Sequence, residues 1–144
     1  MSTRCVIGML NNDGTVSCIY CHNDGYPKGV GKTLKEYYSK KGAVENLIAL
    51  GDLSSLKPLL EPLGKEHSFN NPEKDVTIAY GRDRWEKGTQ AKIIKDEEQF
   101  WAFAPDMYDA EYGYLYKDNA WYFAEFGEYI IGEFDDIDDY VQKL

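Results

Sequence analysis

The 144-residue chain is 43% hydrophobic and 28% charged, which fits a single globular domain over residues 1–144 and excludes a disordered polypeptide. No run approaches the ~18 apolar residues of a membrane span, and Met1-Ser2-Thr3-Arg4-Cys5 lacks the apolar segment of an export signal, so a cytoplasmic protein is expected. Residues 1–95 hold 14 Lys and Arg against 11 Asp and Glu, whereas residues 96–144 hold 2 against 14; the acidic last third disfavours direct DNA or RNA binding.

The opening predicts a β-hairpin. Residues 4–10 and 16–22 are rich in β-branched and apolar side chains, and Asn11-Asn12-Asp13-Gly14 between them tolerates the positive φ of a tight turn. Asp24-Gly25-Tyr26-Pro27 breaks the second strand. Helices are predicted over residues 30–40 and 43–50, where apolar residues recur on one face, with Gly51 as the stop. Asp52 reads as the N-cap of a short helical turn through residues 56–60. Residues 62–74 form a polar loop, 76–81 a strand, 82–88 a charged excursion and 90–95 another strand. Asp96 caps a helix that Pro105 is expected to end. A second hairpin pairs residues 111–116 with 121–126, residues 129–131 add an edge strand, and 134–144 make an acidic terminal helix. The expected architecture is α+β, a single domain with a mostly antiparallel sheet and helices packed largely on one face.

Several motifs concentrate near residue 20. Cys18-Ile19-Tyr20-Cys21-His22 matches the haem-attachment pattern C-x-x-C-H. In a strand, however, Cys18, Tyr20 and His22 face one way and Ile19 and Cys21 the other, so the two thiols cannot reach one macrocycle. The same alternation divides Cys5, Cys18, Cys21 and His22 as zinc ligands. The three cysteines read as buried small hydrophobes in a reducing compartment, and no cofactor or metal is expected. Gly31-Lys32-Thr33 resembles a P-loop, but Tyr26 stands where its first glycine belongs and Pro27 removes an amide. A glycine-rich helix start with lysines nearby still suits an anion. His22 beside Asp24 is the best acid–base pair available, and Cys21 the best nucleophile; neither makes a strong enzyme, so no catalytic residue is assigned. Tyrosines beside Arg4, His22, Arg82 and Arg84 suit a planar ring with an attached phosphate.

The opening residues Met1-Ser2-Thr3-Arg4, Ile7-Gly8, the Asp-Gly-Thr turn before Val16, Ile19-Tyr20-Cys21-His22, Asp24-Gly25-Tyr26-Pro27 and Gly29-Val30-Gly31 resemble a widespread family of small phage and prophage proteins. Similarity continues through Leu47–Leu56, Ala79-Tyr80-Gly81-Arg82-Asp83-Arg84 and the Tyr114…Trp121 hairpin, covering most of the chain. Asn23 stands where that family often has Trp, so no ligand stacking carries over to this position. The resemblance implies an accessory protein that counters host antiviral defence in the cytoplasm of an infected bacterium. The first expectation is a non-enzymatic binder sequestering a (cyclic) nucleotide immune signal, with Arg4, His22, Tyr26, Lys28, Tyr80, Arg82, Arg84 and Trp85 around the ligand. Such pockets are commonly completed by a second subunit, so a homo-oligomer is expected. The alternative is an acidic nucleic-acid mimic that blocks a basic host defence protein of the DNA- or RNA-targeting kind. A nucleotide-degrading enzyme using His22 and Asp24 is a third.

Overall fold

The computed structural model describes residues 2–64, 66–126 and 130–133. In chain order these form β1 (Cys5–Leu10), β2 (Val16–Cys21), α1 (Lys32–Tyr37), α2 (Lys41–Leu50), β3 (Leu53–Ser55) and β4 (Ile78–Ala79). There follow α3 (Tyr80–Arg84), β5 (Lys92–Ile94), α4 (Glu97–Tyr108), β6 (Tyr112–Lys117), β7 (Ala120–Glu125) and β8 (Ile130–Glu133). A wide π-type turn, Pro27–Gly31, leads into α1. The terminal helix expected over 134–144 lies outside the described residues.

Both hairpins form where turn chemistry predicts them. β1 and β2 pair antiparallel from Cys5↔Cys21 to Leu10↔Val16, closed by the Asn11 amide donating to the Thr15 carbonyl at 2.8 Å, with Gly14 at φ +88°. β6 and β7 are joined by Asp118-Asn119, whose φ values of +51° and +62° suit the twist of a two-residue hairpin loop.

The fold is α+β, yet the sheet is mixed rather than mostly antiparallel. Its order is β4-β3-β2-β1-β6-β7-β8, with β5 on β2; β1 runs parallel to β6, and β2 parallel to β3. The β2–β3 pairing is parallel because α1 and α2 carry the chain back across the sheet between them, a βαβ connection. Helices also cover both faces. Cys5, Ile7, Ile19, Cys21, Tyr114 and Phe123 face Val30, Leu34, Val44 and Leu47 of the first helical segment. On the opposite face Val6, Val16, Cys18, Leu115 and Ala124 pack against Phe100 and Ala104 of α4.

Three local expectations are overturned; of the strand expected over residues 76–81 only β4 (Ile78–Ala79) forms, and Tyr80 and Gly81 open α3. Residues 53–55 form a strand, because the Asp52 carboxylate bonds the Tyr20 amide instead of capping a helix. Asp96 does cap α4, accepting the Gln99 amide at 2.8 Å, but the helix continues past Pro105 to Tyr108.

Close packing on the α4 face depends on absent side chains. A Cβ at Gly8 would lie 2.8 Å from the Phe100 ring and 3.0 Å from Val16. Gly8→Ala should therefore overpack this layer and cost about 1–3 kcal/mol, measured by denaturant unfolding. A variant as stable as the parent would show that Phe100 yields freely.

Candidate functional site

Along the outer edge of β2, β5 pairs with Val16–Cys18 and β3 with Cys21. At the gap between them the Tyr20 amide donates to Asp52 Oδ1 at 3.0 Å. The Asp52 amide donates to the Thr89 carbonyl, and its carbonyl accepts the Tyr80 amide. One residue thus ties β2 to the start of α3 and to the turn before β5.

That tie brings two patches together. In the first, alternation along β2 puts Tyr20 and His22 on the α4 face. The Tyr20 phenol lies 2.6 Å from His22 Nδ1, its ring stacks on Tyr108 at 5.4 Å and 17°, and the Arg4 charge lies near enough to act on it. The Tyr20 hydroxyl and His22 Nδ1 share one hydrogen bond. Arg4 also pairs with the exposed Asp109 at 2.9 Å. In the second patch the Arg84 guanidinium lies 4.5 Å from the Phe69 ring centroid and 4.8 Å from that of Tyr80. The Ser54 hydroxyl, near enough to act on the Tyr80 phenol, accepts from the Asn23 side-chain amide at 3.2 Å.

The patches adjoin. Burial raises the Tyr20 phenol above its ordinary value, Arg4 opposes the rise, and Tyr80 is close enough to add to it. Burial likewise raises Tyr80, with Arg84 opposing. Both phenols therefore stay neutral. The combined face offers the guanidinium donors of Arg4 and Arg84 and the His22 imidazole beside the rings of Tyr20, Tyr80 and Phe69.

Of the expected site residues, Arg4, His22, Tyr80 and Arg84 belong to this face. Arg82 does not. Its guanidinium reaches the carbonyls of Leu60 and Thr77 and the Asp83 carboxylate. Asp83 also accepts from the Ala79 amide and from buried His67. Burial pulls the Asp83 carboxyl upward, but Arg82, the Ala79 amide and His67 together leave it below its ordinary value. Trp85, 85% exposed, ends α3 in a left-handed conformation, and no ring contact among the described residues joins it to Tyr80. Tyr26 bonds Asp24, and Lys28 lies exposed on the π-type turn; neither contacts the face among the described residues.

The remaining motifs serve structure. The amides of Gly29 and Val30 donate to the carbonyls of Tyr26 and Asp24, so the glycine-rich turn has spent the groups that would hold an anion. His22 pairs with Tyr20 rather than Asp24. Cys21 is buried, its thiol donating to the Asn23 carbonyl at 3.6 Å. Burial lifts Cys5 well above its ordinary value, with Cys21 adding, and pushes Cys18 up to about 11, with the nearby Tyr108 hydroxyl and Lys92 opposing. Tyr20 had a sequence signal, its two-residue spacing from His22. Phe69, Tyr108 and Asp109 had none, since only the tertiary fold brings them here.

This face is distinct from three concavities elsewhere: about 500 Å³ beside His67 and Glu73, about 660 Å³ along β5 and α4, and about 330 Å³ between the hairpin tips. Among the described residues no helix is long and apolar enough to cross a membrane. Comparison with protein families, curated proteins and solved structures finds no match.

Burial raises the Asp52 carboxyl above its ordinary value, while the Tyr20 amide and Lys92 oppose it. Asp52→Ala should cost about 1–3 kcal/mol by leaving the Tyr20 amide unsatisfied, as read from denaturant unfolding. Asp52→Asn keeps an acceptor and removes the charge. A carboxyl raised on folding loses stabilising effect as pH climbs from its unfolded value near ~3.9 through the folded one. The Asn variant should therefore gain on the parent between acid and neutral pH; losing ground over that range would contradict the assignment.

Proposed function

We propose that this chain is a phage-type accessory protein that counters host antiviral defence by holding a small nucleotide rather than transforming it. The observation that carries the reading is the meeting of Arg4, Tyr20 and His22 with Tyr80, Arg84 and Phe69 on one face. Guanidinium groups suit phosphate oxygens, and aromatic faces suit a base of any sequence. The Arg4 and Arg84 ion pairs run to exposed Asp109 and Glu86. Such surface pairs are worth little, so an incoming phosphate displaces those carboxylates at small cost.

Binding is favoured over catalysis by the state of the reactive groups. The Tyr20 phenol is raised, not lowered; His22 Nδ1 is occupied, and Asp24 is engaged by Tyr26. None is arranged as an activated nucleophile with its base. The phage origin and the role in defence rest on the resemblance of the opening block. The second reading, an acidic mimic of nucleic acid, is favoured by the 14 acidic residues after position 95.

Calorimetric titration with cyclic di- and trinucleotides and ADP-ribose isomers should give binding to at least one, with the ligand recovered unchanged after heat release. Arg4→Ala and Arg84→Ala should each weaken binding about tenfold or more, roughly 1.4 kcal/mol, with unfolding midpoints kept. Arg82→Ala should instead lower the midpoint. A panel with no binder, or arginine variants that bind like the parent, would sink the reading. Capture of a basic host nuclease with steep salt dependence would favour the acidic mimic.

A further inference from the structure

β5 is short, lysine-bearing and paired on one side. Its three residues pair with β2, and among the described residues no backbone hydrogen bond reaches its outer edge. Beside that edge runs a concavity of about 660 Å³, lined on the α4 side by Gln99, Phe103, Asp106 and Met107. These positions fall on one face of the helix, about a quarter turn from the buried Phe100 and Ala104. Ile93 is 65% exposed, Phe103 51% and Met107 44%. Phe103 and Met107 flank the edge on the α4 face, whereas Ile93, next to the buried Ile94, projects from the other face. Exposed apolar side chains on both sides of an open strand edge mark a place where another strand adds.

We propose that a second copy of this chain adds there, β5 against β5, antiparallel and centred on Ile93, with the exposed Phe103 and Met107 of α4 completing the contact. Charge selects both the occupant and the register. The patch carries Lys92 on the strand, Lys95 just beyond it and Asp106 on the helix, so each copy offers the other both signs. A two-fold axis normal to the sheet sets one residue opposite itself. Centring on Lys92 would oppose like charges, which destabilises a cross-strand pair. Centring on Ile93 pairs all three strand residues, with Lys92 against Ile94 and Lys95 against Ala91 of the other copy.

The same axis keeps both α4 helices on one side of the joined sheet, so their Phe103–Met107 stripes meet across it. Their contribution is required, because a stable interface buries roughly 800 Å² per partner, more than three strand residues supply. The proposal stands independently of any nucleotide ligand.

Sedimentation of the full chain over about 1–100 µM should show a monomer–dimer equilibrium. Ile93→Lys, which sets lysine against lysine at the axis, and Phe103→Glu should each weaken it at least tenfold. Both side chains are largely exposed, and unchanged melting curves would confirm folding. Ile93→Cys should yield a disulfide-linked dimer on mild oxidation, since the native thiols are buried and residue 93 faces its own copy. An Asn12→Cys control at the hairpin tip should stay unlinked. A parent that sediments as a monomer at 100 µM, or a dimer untouched by both charge substitutions, would overturn the proposal.

Discussion

The Asp52 carboxylate on the Tyr20 amide is the constraint from which the rest of the functional face follows. β2 cannot be bordered by one continuous strand, because β5 and β3 approach it from different parts of the chain and leave a step between them. A buried amide at that step would cost about 1–3 kcal/mol without an acceptor. Asp52 supplies one, and its own backbone fixes the start of α3 and the turn before β5. Gly51 makes this approach feasible: it sits at φ +84°, and a Cβ there would collide with the Thr89 carbonyl. Tyr80 is therefore held beside Tyr20 by a backbone tie and not by ring packing alone.

The high aromatic content has a structural use as well. On the face covered by α1 and α2, the polar tips of long side chains finish backbone groups that the sheet and helices leave open. Tyr114 donates to the Gly25 carbonyl at 2.8 Å, Tyr116 to that of Ser39 at 2.9 Å, and the Trp121 indole to that of Tyr38 at 2.9 Å. The last two acceptors follow the C-terminus of α1, where helical carbonyls lack partners of their own. The C-terminal hairpin thus closes the first helical layer while burying its rings against it. Phenylalanine at these tyrosine positions would keep the apolar contact and orphan the carbonyls. Tyr114 and Tyr116 thus use both ring and hydroxyl.

What the sequence disclosed was local. The two hairpins were legible because Asn11 to Gly14 and Asp118-Asn119 carry their turn geometry with them. The separation of Cys18 from Cys21 and the capping of α4 by Asp96 were legible for the same reason. Parallel pairing was not, since β1 meets β6 across about a hundred residues and no local pattern encodes a partner so distant. Asp52 shows how local chemistry can mislead: an aspartate ahead of a short apolar run suits an N-cap, and a distant amide took its carboxylate. Arg82 and Arg84 make the point within one turn of helix. Two residues apart on α3, they diverge by roughly 200°. One guanidinium consequently pins the loop around His67 to Asp83, while the other lies over Phe69 and Tyr80. Nothing in the alternation of charges told them apart.

The step along β2 also relates the face to the edge. Lys92 lies 4.9 Å from the Tyr108 ring centroid, and Tyr108 stacks on Tyr20. Its ammonium acts on Asp52 as well. Were a second copy added along β5, Lys92 would stand at the interface while still touching the aromatic stack of the candidate site. Any displacement of Lys92 or Tyr108 by a ligand would then change the free energy of association, and association would change ligand affinity by the same factor. The coupling needs no long pathway, because one cation and two stacked rings separate the strand edge from His22. A binder assembled this way would close its site and its dimer together, whereas an isolated copy leaves the same face open to water.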